Sequence, residues 1–467
     1  MRVAFHTLGC KVNHYETEAM REAFVSRGAV SVGEEDPADV YIINTCTVTN
    51  IADRKSRQYI RRVKRINPDA LIVVTGCYAQ VEPEEVASMP EVDMVVGNGQ
   101  KAKICGLVLE RLEAKPSDRS DAQGAAGEPA DAGVKGCPGS GSDSGTQVLV
   151  LPRAELTEYE DMGLVESGEP GMTRAYIKIQ EGCDRFCSYC LIPYARGPVR
   201  SRPAEEIVQE TRMLLDSGVR EIVLTGINTA LYGTEEGSEY ELTDLLAMLD
   251  EIEMPEGDDF RIRLSSLEPT VVDKDHVEKI IRFRRLCHHL HLSVQAGSDH
   301  ILKSMNRHYT RDEYLDIVMA IRDFDPLYGI TTDIIVGFSG ETEEDFADTL
   351  DIVRKSDFGK VHVFRYSTRK GTAGASLPDA VPGEVKIERS DRLEKTAEEV
   401  ARRFRTANTG IGHTILAEEI QDGYMTGYTG NYIKTYIKDP ESTLEPGTFY
   451  KVRLTELYKD GCIGELI

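Results

Sequence analysis

The stretch Cys183-Asp184-Arg185-Phe186-Cys187-Ser188-Tyr189-Cys190 decides how the rest of the chain is read. Three thiols at spacings of four and three share one short loop, and thiolates so placed can wrap around a cubane iron–sulfur cluster while leaving its fourth iron open. A structural zinc site is the rival, but it takes four protein ligands, and no nearby Cys or His supplies the fourth in sequence. Free thiols without a ligand role are the third reading. The loop closely follows the apolar run Ala175-Tyr176-Ile177, the first of a series at 222–224, 262–264, 289–294, 332–336 and 361–364. Helical patterns such as 204–217 and 343–355 separate most of these runs. Six strand–helix units fit a partial or full parallel (β/α) barrel better than a short open sheet.

Upstream, apolar runs at 3–5, 40–43 and 71–74 alternate with helical patterns at 16–27 and 51–66, the βαβαβ rhythm of a parallel sheet. A cysteine follows each run within a few residues: Cys10, Cys46 and Cys77. The carboxyl ends of parallel strands share one edge, where such folds place their ligands, so three cysteines distant in sequence can converge there. From about 117 to 147 the composition turns to Gly, Ser, Asp, Ala and Pro, too poor in apolar area to fold. Beyond Arg405 short Gly-punctuated strands predict a small antiparallel β-barrel. The chain therefore divides into an α/β N-terminal domain (1–114), a flexible insertion and linker (115–168), a central barrel (169–402) and a small C-terminal barrel (403–467).

Composition sets the outer bounds. At roughly 100–200 residues per domain, 467 residues hold about three domains. Hydrophobic residues at 40% and charged ones at 29% are the balance of a globular chain, not of a disordered or collagen-like one. No apolar run approaches the roughly 18 residues of a membrane helix, and residues 1–6 have no signal-peptide character, so a cytoplasmic protein without membrane contact is expected. In that reducing compartment ten cysteines point to metal or catalytic use rather than to disulfides. The net charge of −24 disfavours passive attraction to nucleic acid, so any RNA must meet a local basic patch.

The 183–190 segment resembles the radical S-adenosylmethionine (SAM) superfamily, whose CxxxCxxC motif it matches in full. The resemblance implies that Cys183, Cys187 and Cys190 hold a [4Fe-4S] cluster whose open iron binds SAM, and that an electron from the cluster splits SAM to a 5′-deoxyadenosyl radical. Tyr189 then lies against the SAM adenine or, equally, packs as a core aromatic, and the strand end Leu224-Thr225-Gly226-Ile227-Asn228 receives the methionine part.

Thr7-Leu8-Gly9-Cys10-Lys11-Val12-Asn13, Asn44-Thr45-Cys46-Thr47-Val48-Thr49 and Gly76-Cys77-Tyr78-Ala79-Gln80 are similar to the three signature segments of the methylthiotransferases. In that family these cysteines hold a second [4Fe-4S] cluster, which carries the sulfur to be inserted. The likeness continues through 192–197, Gln295-Ala296-Gly297-Ser298-Asp299, Met305-Asn306-Arg307 and 332–338, and the C-terminal stretch resembles the family's TRAM domain. Ser293 and Ser339 stand where the family often has proline, and Arg365 interrupts a Phe-Pro-Tyr-Ser-like segment.

Within the family, the segment 7–18 resembles most the MtaB-type class. That class adds a methylthio group to carbon 2 of N6-threonylcarbamoyladenosine at position 37 of tRNA. The classes acting on isopentenyl-adenosine 37 or on a ribosomal protein aspartate are the alternatives, and a non-catalytic iron–sulfur RNA-binding or redox-sensing protein is the rival from outside enzymology. The resemblance also implies tRNA, an electron donor such as flavodoxin or ferredoxin, and a sulfur donor as partners.

Seven basic side chains among residues 54–65 predict a cationic helix face for phosphates, or simply a solvated surface. Arg196, Arg200 and Arg202 border the cysteine loop, where they could hold a tRNA backbone. Tyr424, Tyr428 and Tyr432 could stack on bases, with barrel core the expected role of at least one. Cys105, Cys137, Cys287 and Cys462 fit no ligand spacing and read as ordinary thiols.

Overall fold

The computed structural model describes residues 1–113, 145–164, 173–439 and 443–467. The Gly/Ser-rich stretch, with Cys137, lies outside the described residues except for its last positions. Two compact units divide the chain: Met1–Leu156 with Glu160–Gly163, and Thr157–Tyr159 with Leu164–Ile467.

The first unit is a six-stranded parallel sheet in the order Val30–Val32, Arg2–Thr7, Val40–Thr45, Leu71–Gly76, Met94–Val96, Gln147–Leu149. Its central strands are buried throughout, which is why they read as unbroken apolar runs rather than as alternating ones. Each face carries its own core. Tyr41, Ile43, Ile72 and Val74 pack with Ile60 and Val63 on one side. Ile42 and Val73 pack with Met20, Phe24, Ile104 and Val108 on the other. The last strand, Gln147–Leu149, falls in what the composition marked as linker. Three residues behind a compositionally biased stretch give no period to detect, yet Thr146 Oγ1 donates to the Val92 carbonyl at 2.9 Å and helps seat the strand on the sheet edge.

In the second unit the parallel strands Arg174–Lys178, Glu221–Thr225 and Arg261–Leu264 form one sheet, and Ser266–Leu267, His289–Leu292, Gly329–Val336 and Lys360–Arg365 form another. An isolated bridge, Ile262 to Leu286, links the two series. Alternate strand residues, among them Ile222, Leu224, Leu290, Leu292, Ile334 and Val336, enter one core with the helix residues Tyr314, Ile317, Phe346 and Val353. Side chains of the other parity point away from the helices: Lys178, Glu221, Arg263, His291, Asp333 and His362. Thr310 and Thr342 cap their helices with reciprocal boxes to Glu313 and Asp345, the first sharpening a helix-to-helix turn and the second a strand-to-helix turn.

The C-terminal segment closes into a five-stranded barrel, Gly412–Gln421, Tyr424–Thr429, Lys434–Lys438, Gly461–Leu466, Phe449–Tyr458. Its neighbours run antiparallel except Lys434–Lys438 against Gly461–Leu466, which pair in parallel, a departure from the all-antiparallel expectation. The barrel docks on the central strands through Arg261 and Arg263, whose guanidinium groups donate to the carbonyls of Tyr428 and Gly430 at 3.0 and 3.3 Å. Among the described residues no helix is long and apolar enough to cross a membrane.

Candidate functional site

In the first unit, strand order reverses about Arg2–Thr7: the next strand in the chain, Val30–Val32, lies on one side of it and Val40–Thr45 on the other. The crevice at the carboxyl ends of strands at such a reversal is the usual ligand position of an open α/β sheet. Cys10 caps the helix Lys11–Val25 directly after the first of these central strands, and Cys46 follows the second. Cys77 opens the helix Cys77–Val81 after the next strand over.

Glycines allow the close approach. Gly9 has φ +112°, and a Cβ there would lie 2.8 Å from Cys46 Cβ. Gly76 has φ +95°, and a Cβ would overlap the Thr45 backbone. Amides brace the loops: Asn13 Nδ2 donates to the carbonyls of Leu8 and Thr45 at 2.7 and 3.1 Å, and Gln80 Oε1 accepts the Asn98 N–H at 2.9 Å. Burial, then the charges of Cys77 and Cys10, push the Cys46 thiol up to about 12, against a backbone bond from Val48. Replacing Gly76 with alanine should cost about 2 kcal/mol through positive-φ strain and overlap. The expected readout is a fall of roughly 4–8 °C in the melting temperature of this unit, followed by circular dichroism.

In the second unit, the loop 183–190 is pinned from several directions. Cys183 N–H donates to the Gly197 carbonyl at 3.0 Å and Ser188 N–H to the Met305 carbonyl at 2.9 Å. Asn306, itself at φ +58°, donates its amide to the carbonyls of Arg185 and Phe186, both at 3.1 Å.

Each sulfur has an N–H donor. The Arg185 backbone serves Cys183, Arg307 Nη1 approaches Cys187 Sγ at 3.4 Å, and the Ile192 N–H lies 3.4 Å from Cys190 Sγ. Burial nonetheless pushes Cys183 up to about 12 and raises Cys190 as well. Binding iron would displace thiol protons from the loop, and the N–H donors would then stabilise sulfur carrying charge. Three sulfurs, three donors and no fourth thiol in the loop fit a cluster with one open iron.

Glu268 stands beside the loop, buried, with Oε1 3.1 Å from Arg307 Nη1 and Oε2 accepting from Asn228 Nδ2 at 3.0 Å. Arg307, Glu268 and Asn306 had no role in the sequence reading, because each meets the loop only through the tertiary fold.

Comparison with known proteins agrees with this geometry. Residues 2–97 match the model described as uncharacterized protein family UPF0004, and 177–353 match the radical SAM superfamily. The chain is 39% identical to the threonylcarbamoyladenosine tRNA methylthiotransferase MtaB of Bacillus subtilis, over 97% of this chain and 93% of that one. It is also 35% identical to a tRNA-2-methylthio-N(6)-dimethylallyladenosine synthase of Carboxydothermus hydrogenoformans, over 96% of each. The chain belongs to the radical SAM methylthiotransferase family. In fold it is similar to the radical SAM methyltransferase TsrM of Kitasatospora setae, with a TM-score of 0.54 at 17% identity over 78% of this chain and 72% of that one. As a radical SAM methylthiotransferase it is an enzyme that works with SAM and a [4Fe-4S] cluster.

Other expected contacts of this methylthiotransferase need correction. Arg196, Arg200 and Arg202 are buried, so they offer no cationic surface. Arg196 and Arg200 pair with Glu181 at 2.9 and 3.6 Å, and Arg202 pairs with Glu210 and, at 3.2 Å, Glu206. They secure the loop's flanks instead of gripping phosphates. The basic helix Asn50–Ile66 is only partly a free surface. Arg57 binds Tyr78 and Glu85, Arg62 binds Glu35, and Lys64 binds Asp93. Arg54, Lys55, Arg61 and Arg65 remain exposed.

Tyr428 and Tyr432 stack on each other at 4.9 Å beneath Arg174 and Arg263. Both are half-buried where the small barrel meets the central strands, whereas Tyr424 lies with Tyr458 and Lys459. Tyr189 packs against the central core. Cys105, Cys287 and Cys462 are buried.

Ser293 and Ser339 are buried, and Arg365 is exposed at its strand end. The Ser293 N–H donates to the Leu267 carbonyl at 3.3 Å, a bond that proline could not make.

Proposed function

We propose that this chain adds a methylthio group to carbon 2 of N6-threonylcarbamoyladenosine at position 37 of tRNA, with Cys183, Cys187 and Cys190 holding the SAM-binding cluster. Cys10, Cys46 and Cys77 would hold a second [4Fe-4S] cluster bearing the sulfur. The observation that carries the reading is the pairing, in one chain, of the N–H-lined three-cysteine loop with three cysteines at the carboxyl ends of adjacent strands beside the sheet's order reversal. When bound, the clusters and SAM supply one-electron cleavage, hydrogen removal from carbon 2 and the sulfur and methyl groups.

The chain's own residues hold and screen the reactants. Arg307 places positive charge against Cys187, balanced by Glu268, so that a buried charge is never left unpaired. Asn306 and Ser188 fix the loop so that the sulfurs need not reorganise. Phe186 and Tyr194, both exposed and in edge contact at 5.8 Å, offer apolar faces beside the loop on which a base can stack. Arg54, Lys55, Arg61 and Arg65 offer phosphate contacts in the first unit. A cytoplasmic flavodoxin or ferredoxin would supply electrons, and a separate donor the sulfur.

The dimethylallyladenosine reading is the second one, because relatives of that name reach 35% identity. Mass spectrometry of tRNA nucleosides from cells with and without the gene tests both. Loss of methylthio-threonylcarbamoyladenosine with accumulation of its precursor is the expected result; loss of the methylthio-isopentenyl form instead would shift the substrate to the second reading.

A further inference from the structure

His291, Asp333 and His362 lie on three adjacent parallel strands, His289–Leu292, Gly329–Val336 and Lys360–Arg365. All three have the parity opposite to Leu290, Leu292, Ile334 and Val336, which pack against the helices, so they share the face that those helices do not cover. One nitrogen or oxygen of each lies within 4.8 Å of the others.

His291 Nε2 is 3.1 Å from Asp333 Oδ2, and Ser293 Oγ donates to the same oxygen at 3.2 Å. Thr331 Oγ1 sits 2.9 Å from His291 Nδ1 and fixes that ring from behind. The His291 and His362 rings are 5.9 Å apart. The cluster is not sealed off: the Asp333 side chain keeps 26% of its exposure and that of His291 14%.

A short chain of contacts connects this cluster to the cysteine loop. The Ser293 carbonyl accepts from Arg307 Nη2 at 3.0 Å, and Arg307 Nη1 approaches Cys187 Sγ at 3.4 Å. Donors and acceptors that keep part of their exposure on the strand face the helices leave uncovered stand where parallel α/β folds hold their ligands.

We propose that His291, Asp333 and His362 form the subsite for the substituent on N6 of the target adenine, and that it takes a substituent bearing both a hydroxyl or amide donor and a carboxylate. Asp333 accepts from the donor, His362 donates to the carboxylate, and His291 with Thr331 and Ser293 keeps the Asp333 carboxylate aimed. This rests on the threonylcarbamoyl reading above and gives it a structural cause. An all-carbon dimethylallyl group would strip water from these groups and return no hydrogen bond, and sites built around hydrogen bonds reject such analogues strongly.

The test uses the full chain and three synthetic anticodon stem-loops, carrying threonylcarbamoyladenosine, isopentenyladenosine or plain adenosine at position 37. Binding is read by fluorescence anisotropy, and methylthio product by mass spectrometry under single turnover. The wild type should prefer the threonylcarbamoyl RNA. In His362→Phe and Asp333→Asn the ratio of affinities for threonylcarbamoyl over plain RNA should fall by about tenfold or more, a charge-assisted hydrogen bond lost in each, with partial return in His362→Gln. Because the readout is a ratio within one protein, general misfolding does not mimic it.

If the wild type prefers the isopentenyl RNA, the substrate reading fails. If it prefers the threonylcarbamoyl RNA and the variants keep that preference, the subsite is overturned while the reading stands. One equivalent of a non-iron divalent metal in the wild type, lost in His362→Gln, would also overturn it, since two imidazoles and a carboxylate would then be ligands.

Discussion

Cys187→Ala protein, purified without oxygen and given SAM and dithionite, should form 5′-deoxyadenosine at about one hundredth of the wild-type rate or less, because even outer contacts of a metal site cost 10–100-fold when removed and this change would take a proposed ligand itself. Cys187 is buried, is the middle one of the three proposed ligands, and its sulfur is the one that Arg307 approaches. Removing it also leaves the guanidinium with Glu268 as its remaining charged partner, a pair that can persist, so the loop should stay folded while the site loses iron. The visible absorbance of the cluster and the iron content are therefore measured beside the rate. Cys105→Ala is the control, since that thiol donates to the Ala23 carbonyl at 3.3 Å inside the first unit and has no part in the loop. Full 5′-deoxyadenosine formation by Cys187→Ala would remove the loop from the chemistry.

The residues that could be read from sequence are those whose meaning is local. The spacing of Cys183, Cys187 and Cys190 is a property of eight consecutive residues, and the apolar runs before Cys10, Cys46 and Cys77 are buried parallel strands whose ends follow from their length. What sequence could not show depends on partners far along the chain. Arg307 meets Cys187 across 120 positions, and nothing in Met305-Asn306-Arg307 announces it. Arg196, Arg200 and Arg202 read as a cationic rim because a run of charges carries no sign of burial, and their carboxylates, Glu181 and Glu210, reach them only once the loop folds back. Tyr428 and Tyr432 carry no sign in sequence that they stack on each other beside the arginines through which the small barrel docks. The members of the His291, Asp333 and His362 cluster sit singly in three apolar runs, where each alone reads as an interruption.

The second large effect separates the two cysteine sets. Cys46→Ser should retain SAM cleavage to 5′-deoxyadenosine yet lower methylthio product by about a hundredfold or more, as serine oxygen is a poor ligand for iron–sulfur clusters. Cys46 is the informative member: it is buried, it takes a backbone bond from Val48, and both Cys10 and Cys77 act on its charge. Serine nearly preserves the volume of the side chain, so the Gly9 contact and the Asn13 braces should survive and the first unit should remain folded. The change thus tests ligation rather than packing. Iron content should fall by about four atoms per chain, the complement of one cluster. A Cys46→Ser enzyme that still made methylthio product near the wild-type rate would mean that sulfur reaches carbon 2 without a cluster at this edge of the sheet. The division of labour between the two cysteine sets would then be wrong. If cleavage and sulfur insertion were instead lost together, with the loop cluster still visible in the absorbance spectrum, the two sets would act as one coupled unit and not in sequence.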